Sequence, residues 1–275
     1  MYFYKNQFLS KNDIQISPDD RGYYFGDGIY EVFRVYNGQI YELQAHLQRL
    51  GRTASEVRIA LPYTASEIGD MLTELVHKNK LVEGTVYLQI TRGEAPRAHP
   101  FPEQAEPIVL AYCSVVPRPV ASIHKGIHAI TLADIRWLRC DLKTLNLLPN
   151  VMAKQAALDH GVQEVVLHRD GIVTECSASN IMIIKDQVLY THPANHLILH
   201  GITRAVVLKL ALSLEITVQE EAFTTEQLYQ ADEAFITGTT VEITPLLQID
   251  GKPIGSGAPG PLTQKLQNEF VHTFS

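Results

Sequence analysis

Over residues 28–43, GIYEVFRVYNGQIYEL, apolar and polar positions alternate in two runs on either side of Asn37-Gly38. A period of two predicts strands, and Asn-Gly supplies the positive φ angles of a tight hairpin turn. The period then changes. Leu43, Leu47 and Leu50 fall on one face of a helix in LQAHLQRLGRTASEVRI, 43–59. Thr64 and Glu67 have the spacing of a capping box, so a second helix is expected from Thr64. Strand-like runs follow at 84–93 and 107–116, separated by EAPRAHPFPEQAE, a loop rich in proline and charge.

The second half mixes both periods. The stretch 144–161, TLNLLPNVMAKQAALDHG, reads as a helix with Pro149 near its first turn and Gly161 as its stop. A hairpin is expected around Asp170-Gly171, and a further strand pair over 180–192. Helices are expected near 201–214 and over 262–274, and strands broken by a small-residue turn over 233–251. Helices interleaved with local hairpins predict an α/β protein with mixed α+β sheets. Two domains are expected: a smaller N-terminal one over 1–117 and a larger C-terminal one over 123–275 that carries Lys143. The prolines of PRPVAS mark a linker at 118–122.

Composition narrows the classes. A hydrophobic share of 45% and a charged share of 19% suit a globular chain. The net charge of −7, with no basic tract, argues against a nucleic-acid partner. No apolar run has the length of a membrane span, and the start lacks the features of a signal peptide. The three cysteines are scattered, with neither disulfide nor metal spacing, so the expected compartment is the reducing cytoplasm. The histidines show no ligand-like pairing and no Gly-x-Ser-x-Gly occurs, so metal sites and serine nucleophiles have little support.

A few polar residues stand where the pattern asks for something else. Lys143 sits among Leu142, Leu145, Leu147 and Leu148, where burial would disfavour its charged form and leave an amine able to form a Schiff base. The alternative is a lysine that pairs with Asp141 or extends to solvent. Glu175 ends a strand beside a loop of small polar residues, a common ligand position; an exposed hairpin carboxylate is the alternative. Gly201-Ile202-Thr203 opens a helix, and Gly238 precedes Thr239 and Thr240, so both stretches offer donors to a phosphate. No nucleotide-binding glycine motif is present. Arg49 lies on an apolar helix, and Arg97 and His99 are spaced to converge on a carboxylate.

Taken in order, FGDGIYEVFRVYNG, HLQRL, DLKTLNLLPNVMAKQAA, EVVLHRDGIVTECSASNIMII, GITR and TGTTVEITP resemble the fold-type IV pyridoxal-phosphate aminotransferases over about residues 20–250. The stretches FGDGIYEV, ITRGEAPRAHPFP and LYTHPANHLILHGITR are similar to the branch that acts on D-amino acids. The resemblance implies a Schiff base between Lys143 and pyridoxal 5'-phosphate, with Lys143 also the catalytic base. It implies Glu175 at the pyridine nitrogen, and Arg49, Ile202, Thr203, Thr239 and Thr240 around the phosphate. Tyr30, Arg97 and His99 are then expected to hold the substrate α-carboxylate, with Arg97 and His99 reaching in from the second subunit of a homodimer. The implied reaction is ping-pong transfer of an amino group from a D-amino acid such as D-alanine to a 2-oxo acid such as 2-oxoglutarate. Same-fold alternatives are a branched-chain L-amino acid aminotransferase and an aminodeoxychorismate lyase; a non-catalytic ligand-binding relative is a third. Cys176, Ala178 and Gly238 depart from the hydroxyl-rich pattern of relatives, and a modest loss of cofactor contacts is expected there.

Overall fold

A computed structural model describes residues 1–274 and separates them into two units. The first holds Met1–Arg118 and Leu142–Leu147, and the second holds Pro119–Asp141 and the chain from Leu148 onward.

In the first unit the chain runs β1 (Tyr2–Tyr4), β2 (Gln7–Leu9), α1 (Arg21–Phe25), β3 (Gly28–Tyr36), β4 (Gln39–Ile40), α2 (Leu43–Glu56), α3 (Ala65–Lys78), β5 (Gly84–Thr91) and β6 (Ile108–Ser114). The strands form one antiparallel sheet in the order β2-β1-β6-β5-β3-β4. Asn37 and Gly38 turn with φ of 50° and 78°, as the hairpin pattern required. Alternation along β3 sends Ile29, Phe33 and Val35 into a core with Leu47 and Leu50 of α2 and Leu72 and Leu75 of α3. The capping box at Thr64 is complete: Glu67 accepts from the Thr64 N–H at 2.7 Å, and the Thr64 hydroxyl accepts from the Glu67 N–H at 3.2 Å. On the opposite face of the sheet, Tyr30, Tyr87, Tyr112 and Tyr2 lie in ring contact from strand to strand, with centroids 5.1–5.8 Å apart.

The second unit runs α4 (Val120–Lys125), β7 (Ile127–Ala133), α5 (Leu148–Asp159), β8 (Glu164–Arg169), β9 (Ile172–Cys176), β10 (Asn180–Lys185), β11 (Val188–Thr191), α6 (Ile202–Ser213), β12 (Thr217–Gln219), α7 (Thr225–Tyr229), β13 (Glu233–Gly238), β14 (Glu242–Ile249), β15 (Lys252–Pro253) and α8 (Pro261–His272). Its nine strands follow the path β12-β11-β10-β13-β14-β7-β8-β9, with β15 beside β14. The pairs β7–β8, β14–β7 and β11–β12 are parallel and the others antiparallel, so the sheet is mixed. Three residues, 177–179, join β9 at one end of this path to β10 near the other. Such a short joint forces the sheet to curl.

Three expectations differ from the structure. The units divide after Arg118, inside the expected 118–122 linker, but Val120 already begins α4. The helix expected over 144–161 begins only at Leu148. Residues 143–145 instead lie along β3: the Tyr30 N–H donates to Lys143 O at 3.1 Å, the Leu145 N–H donates to Gly28 O at 3.0 Å, and Thr144 bridges Ile29. These backbone bonds place Lys143 in the first unit rather than the second. Gly28 makes the close approach possible, since a Cβ there would stand 2.7 Å from Leu145 Cδ1 and 2.9 Å from Ile90 O.

Candidate active site

Lys143 is held by its backbone on β3, and its amine turns to the side chain of Tyr30. Nζ donates to the Tyr30 hydroxyl at 3.3 Å and lies 4.3 Å from the ring centroid. The surrounding leucines do not close over it: Leu142 is buried, Lys143, Leu145 and Leu147 are half-buried, and Leu148 is exposed. Asp141, the partner of Lys143 in the alternative reading, accepts from Arg139 at 3.0 and 3.2 Å. An ordered, half-open amine beside a phenol suits a group that must be reached by another molecule.

Arg49 is buried in the same unit, on α2. It faces Glu31 with two parallel bonds, Nε to Oε1 and Nη2 to Oε2, each 2.8 Å. His46, one helical turn before Arg49, shares the carboxylate through Nδ1 at 2.8 Å from Oε2. Burial pushes the Glu31 carboxyl up, but the Arg49 fork and His46 outweigh it and hold the group down to about 2. Burial also lowers His46, so a neutral ring donating Nδ1–H fits this geometry. Glu31 and His46 were missed by sequence reasoning. The signal was there: a glutamate on the core-facing alternation of a strand needs a buried cation.

Arg97 and His99 are exposed and flank one ring, Phe25, at 5.2 and 5.6 Å. Their loop is anchored from below. Arg21 donates Nη1 to Ala98 O at 2.6 Å and Nε to Asp27 at 2.8 Å. Arg92 takes the same Asp27 carboxylate at 2.8 and 3.0 Å. Asp27 belongs to the FGDGIYEV stretch, but its role as anchor needed the fold to appear.

Glu175 ends β9 in the second unit and is buried. It is surrounded by donors: Arg136 Nη1 at 2.5 Å on Oε1, and Asn180 Nδ2 at 2.9 Å and the Leu199 N–H at 3.1 Å on Oε2. Burial pushes its carboxyl up, and Arg136 and the Leu199 N–H pull against that. Arg136 divides itself, since its Nε and Nη2 fork onto Asp134 at 2.9 and 2.8 Å. Neither Arg136 nor Asn180 was singled out in the sequence; for Arg136, no local pattern pairs positions 39 residues apart.

Asn180 links Glu175 to the start of α6. Gly201 caps that helix, and a Cβ on it would lie 2.0 Å from Asn180 Oδ1, so a larger residue there would displace the Asn180 side chain. No side chain caps the helix; Ile202 and Thr203 follow, with Thr203 buried. At the neighbouring turn, Thr239 is half-buried and Thr240 exposed. Gly238 approaches Ser179, with its would-be Cβ 3.6 Å from Ser179 Cβ and 3.7 Å from Ala178 O. The hydroxyls of Ser179 and Thr237 are buried without a hydrogen-bond partner. Orphaned hydroxyls beside an uncapped helix N-terminus form a setting for a phosphate. Ala178 itself is exposed and Cys176 is buried, so the missing hydroxyls leave these two donors in place. Among the described residues no cluster of potential metal ligands occurs, and no helix is long and apolar enough to cross a membrane.

Residues 28–249 match the family described as amino-transferase class IV. The chain is 44% identical over 269 residues to a D-alanine aminotransferase of Staphylococcus haemolyticus, covering 98% of this chain and 95% of the relative. Its fold is similar to the branched-chain amino acid aminotransferase of Escherichia coli, with a TM-score of 0.94, 26% identity and coverage of 100% and 94%. It is also similar to a T.th. branched-chain amino acid aminotransferase solved with pyridoxamine 5'-phosphate, with a TM-score of 0.90, 27% identity and coverage of 99% and 93%.

Proposed function

The chain belongs to the class IV aminotransferase family, and from that premise we propose that it moves amino groups from D-amino acids to 2-oxo acids with pyridoxal 5'-phosphate. One observation carries the choice of substrate hand. Identity to the D-alanine aminotransferase is 44% over nearly the whole chain, against 26% for the branched-chain structure of the same fold. The same difference favours this reading over the branched-chain alternative.

The residues fit the cofactor. Lys143 offers an amine for its aldehyde, Glu175 a carboxylate for its ring nitrogen, and Arg49 a guanidinium for its phosphate. Ile202, Thr203, Thr239 and Thr240, with the orphaned Ser179 and Thr237 hydroxyls, supply phosphate donors. When bound, pyridoxal phosphate supplies the aldehyde that takes the amino group and a ring that withdraws electrons. Lys143 Nζ takes the substrate α-proton and delivers it back, acting as general base and then general acid. Tyr30 holds that amine from its hydroxyl, so the proton carrier keeps one position. Glu175 keeps a proton on the ring nitrogen, and Arg136 and Asn180 keep Glu175 from turning away.

Arg97 and His99 act across a homodimer on the substrate α-carboxylate, together with Tyr30. Their exposure in the single chain supports this, as does an exposed apolar set, Ile135, Trp137, Leu138, Leu148, Val151 and Met152, that a second copy would cover. The three cysteines are free, which fits the cytoplasm. Amino transfer to 2-oxoglutarate from D-alanine and from L-leucine tests the reading. Turnover with D-alanine is expected, and activity confined to L-leucine would sink it. A Trp137→Glu chain that sediments at half the wild-type mass supports the homodimer; a monomeric wild type refutes it.

A further inference from the structure

Arg34 is among the most completely buried large side chains, at 2% exposure, yet none of its three guanidinium nitrogens has a hydrogen-bond partner. Glu83 is the nearest carboxylate, half exposed, with Oε2 3.9 Å from Nη2, too far to accept an N–H. The Tyr36 ring lies 5.3 Å from the guanidinium carbon and offers only its face. Arginine does not shed its proton, so burial leaves five donors without acceptors. Such a group is costly to keep unless something supplies the missing anion.

Its position says what that anion is near. Alternation along β3 puts Tyr30, Val32, Arg34 and Tyr36 on one face, away from the core-facing Ile29, Phe33 and Val35. Tyr30 on that face receives the Lys143 amine at 3.3 Å. Arg34 stands four residues along, roughly 13 Å of strand. A planar fork on the same face as the reacting amine matches the far end of a substrate with two carboxylates.

We propose that Arg34 is a specificity-determining residue that takes the distal carboxylate of acidic substrates, a five-carbon 2-oxo diacid and the matching amino diacid. The proposal rests on the aminotransferase reading above and adds the residue that separates acidic from small substrates. Monocarboxylates such as pyruvate and D-alanine leave Arg34 without its acceptor, and the diacid satisfies it.

Binding and kinetics test this together. In the holoenzyme, calorimetry is expected to find glutarate binding at least about tenfold more tightly than butyrate, and Arg34→Met to abolish that margin. In turnover, the same change raises KM for 2-oxoglutarate roughly 10- to 100-fold while KM for pyruvate stays within about twofold. Arg34→Lys keeps the charge without the fork and falls between the two. Should Arg34→Met fail to fold, as judged by circular dichroism, Arg34→Lys carries the test, with the glutarate margin reduced at least about threefold. A margin that survives in the variants, or is absent from the wild type, overturns the proposal. So does an equal rise in KM for both 2-oxo acids, which marks a packing role. Glutarate binding requires no transamination. A glutarate margin that depends on Arg34 therefore supports this assignment even in a protein that fails to turn over D-alanine, a result that would refute only the function reading.

Discussion

The molecule buries two arginine–glutamate pairs, one in each unit, and they behave in opposite ways. In the first, Arg49 meets Glu31 fork to fork and His46 adds a third donor; the carboxyl is held down to about 2. In the second, Arg136 gives its fork to Asp134 and reaches Glu175 with a single nitrogen; burial wins and the carboxyl is pushed up. Residue types and burial are the same. Geometry decides, because a bidentate pair concentrates two charge-assisted bonds on one carboxylate while a shared arginine divides them. The consequence is chemical. Glu31 is locked as an anion to position Arg49, and Glu175 is a carboxyl whose charge responds to a cation placed beside it.

Removing the amine should have the largest effect. Lys143→Ala is expected to lower turnover at least about thousandfold. After borohydride reduction, mass spectrometry should find cofactor attached to the peptide holding residue 143 in the wild type only; attachment in the variant would rule Lys143 out.

The two glutamates come next, and their pH dependence contrasts them directly. Breaking the buried pair by Glu31→Gln is expected to cost roughly 3–5 kcal/mol, and Glu175→Gln less, because Arg136 keeps its fork on Asp134. Glu31 has a folded value of about 2 against an ordinary 4.5, so its stabilisation is complete above pH 4.5 and disappears as pH falls toward 2. That loss amounts to roughly 3 kcal/mol. Glu175 has the opposite sign: its contribution is complete below its ordinary value and is lost as pH rises through its raised one. Urea unfolding of wild type and both variants from pH 3 to 7 should therefore show differences that shrink on acidification for Glu31 and grow for Glu175. The same slope in both would erase the contrast between the two pairs.

Smaller effects follow. Arg49→Lys keeps a charge but loses the fork, and cofactor dissociation measured by equilibrium dialysis should rise about tenfold. Thr203→Ala removes one donor, for roughly 0.5–1.5 kcal/mol and a few-fold weaker cofactor binding by the same assay. A larger effect from Thr203 than from Arg49 would reverse the ranking of the phosphate contacts.

Much of the fold was legible because local patterns carried it. The turns at Asn37-Gly38 and Asp170-Gly171 adopt the positive φ angles their residues favour, and Thr64 with Glu67 closes a capping box. Lys143 and Glu175 stood out as polar residues in apolar or strand-end settings. The partners that give these groups their chemistry did not stand out. Arg136 lies 39 residues from Glu175, and Tyr30 lies 113 residues from Lys143. Residues 144–147 read as the start of the helix that follows them, but backbone bonds along β3 hold residues 143–145 outside it.

The sequence by itself determined which segments turn, pair or coil, and which residue types could do carbonyl-amine chemistry, since those depend on neighbours a few positions apart. Only the tertiary structure decided that Lys143 lies along β3, that Glu31 is a fixed anion and Glu175 a responsive one, and that Arg34 is buried with its donors unmet. Those outcomes turn on distances and angles between groups far apart in the chain, where an arginine shared with a second carboxylate leaves burial to set the direction of a titration.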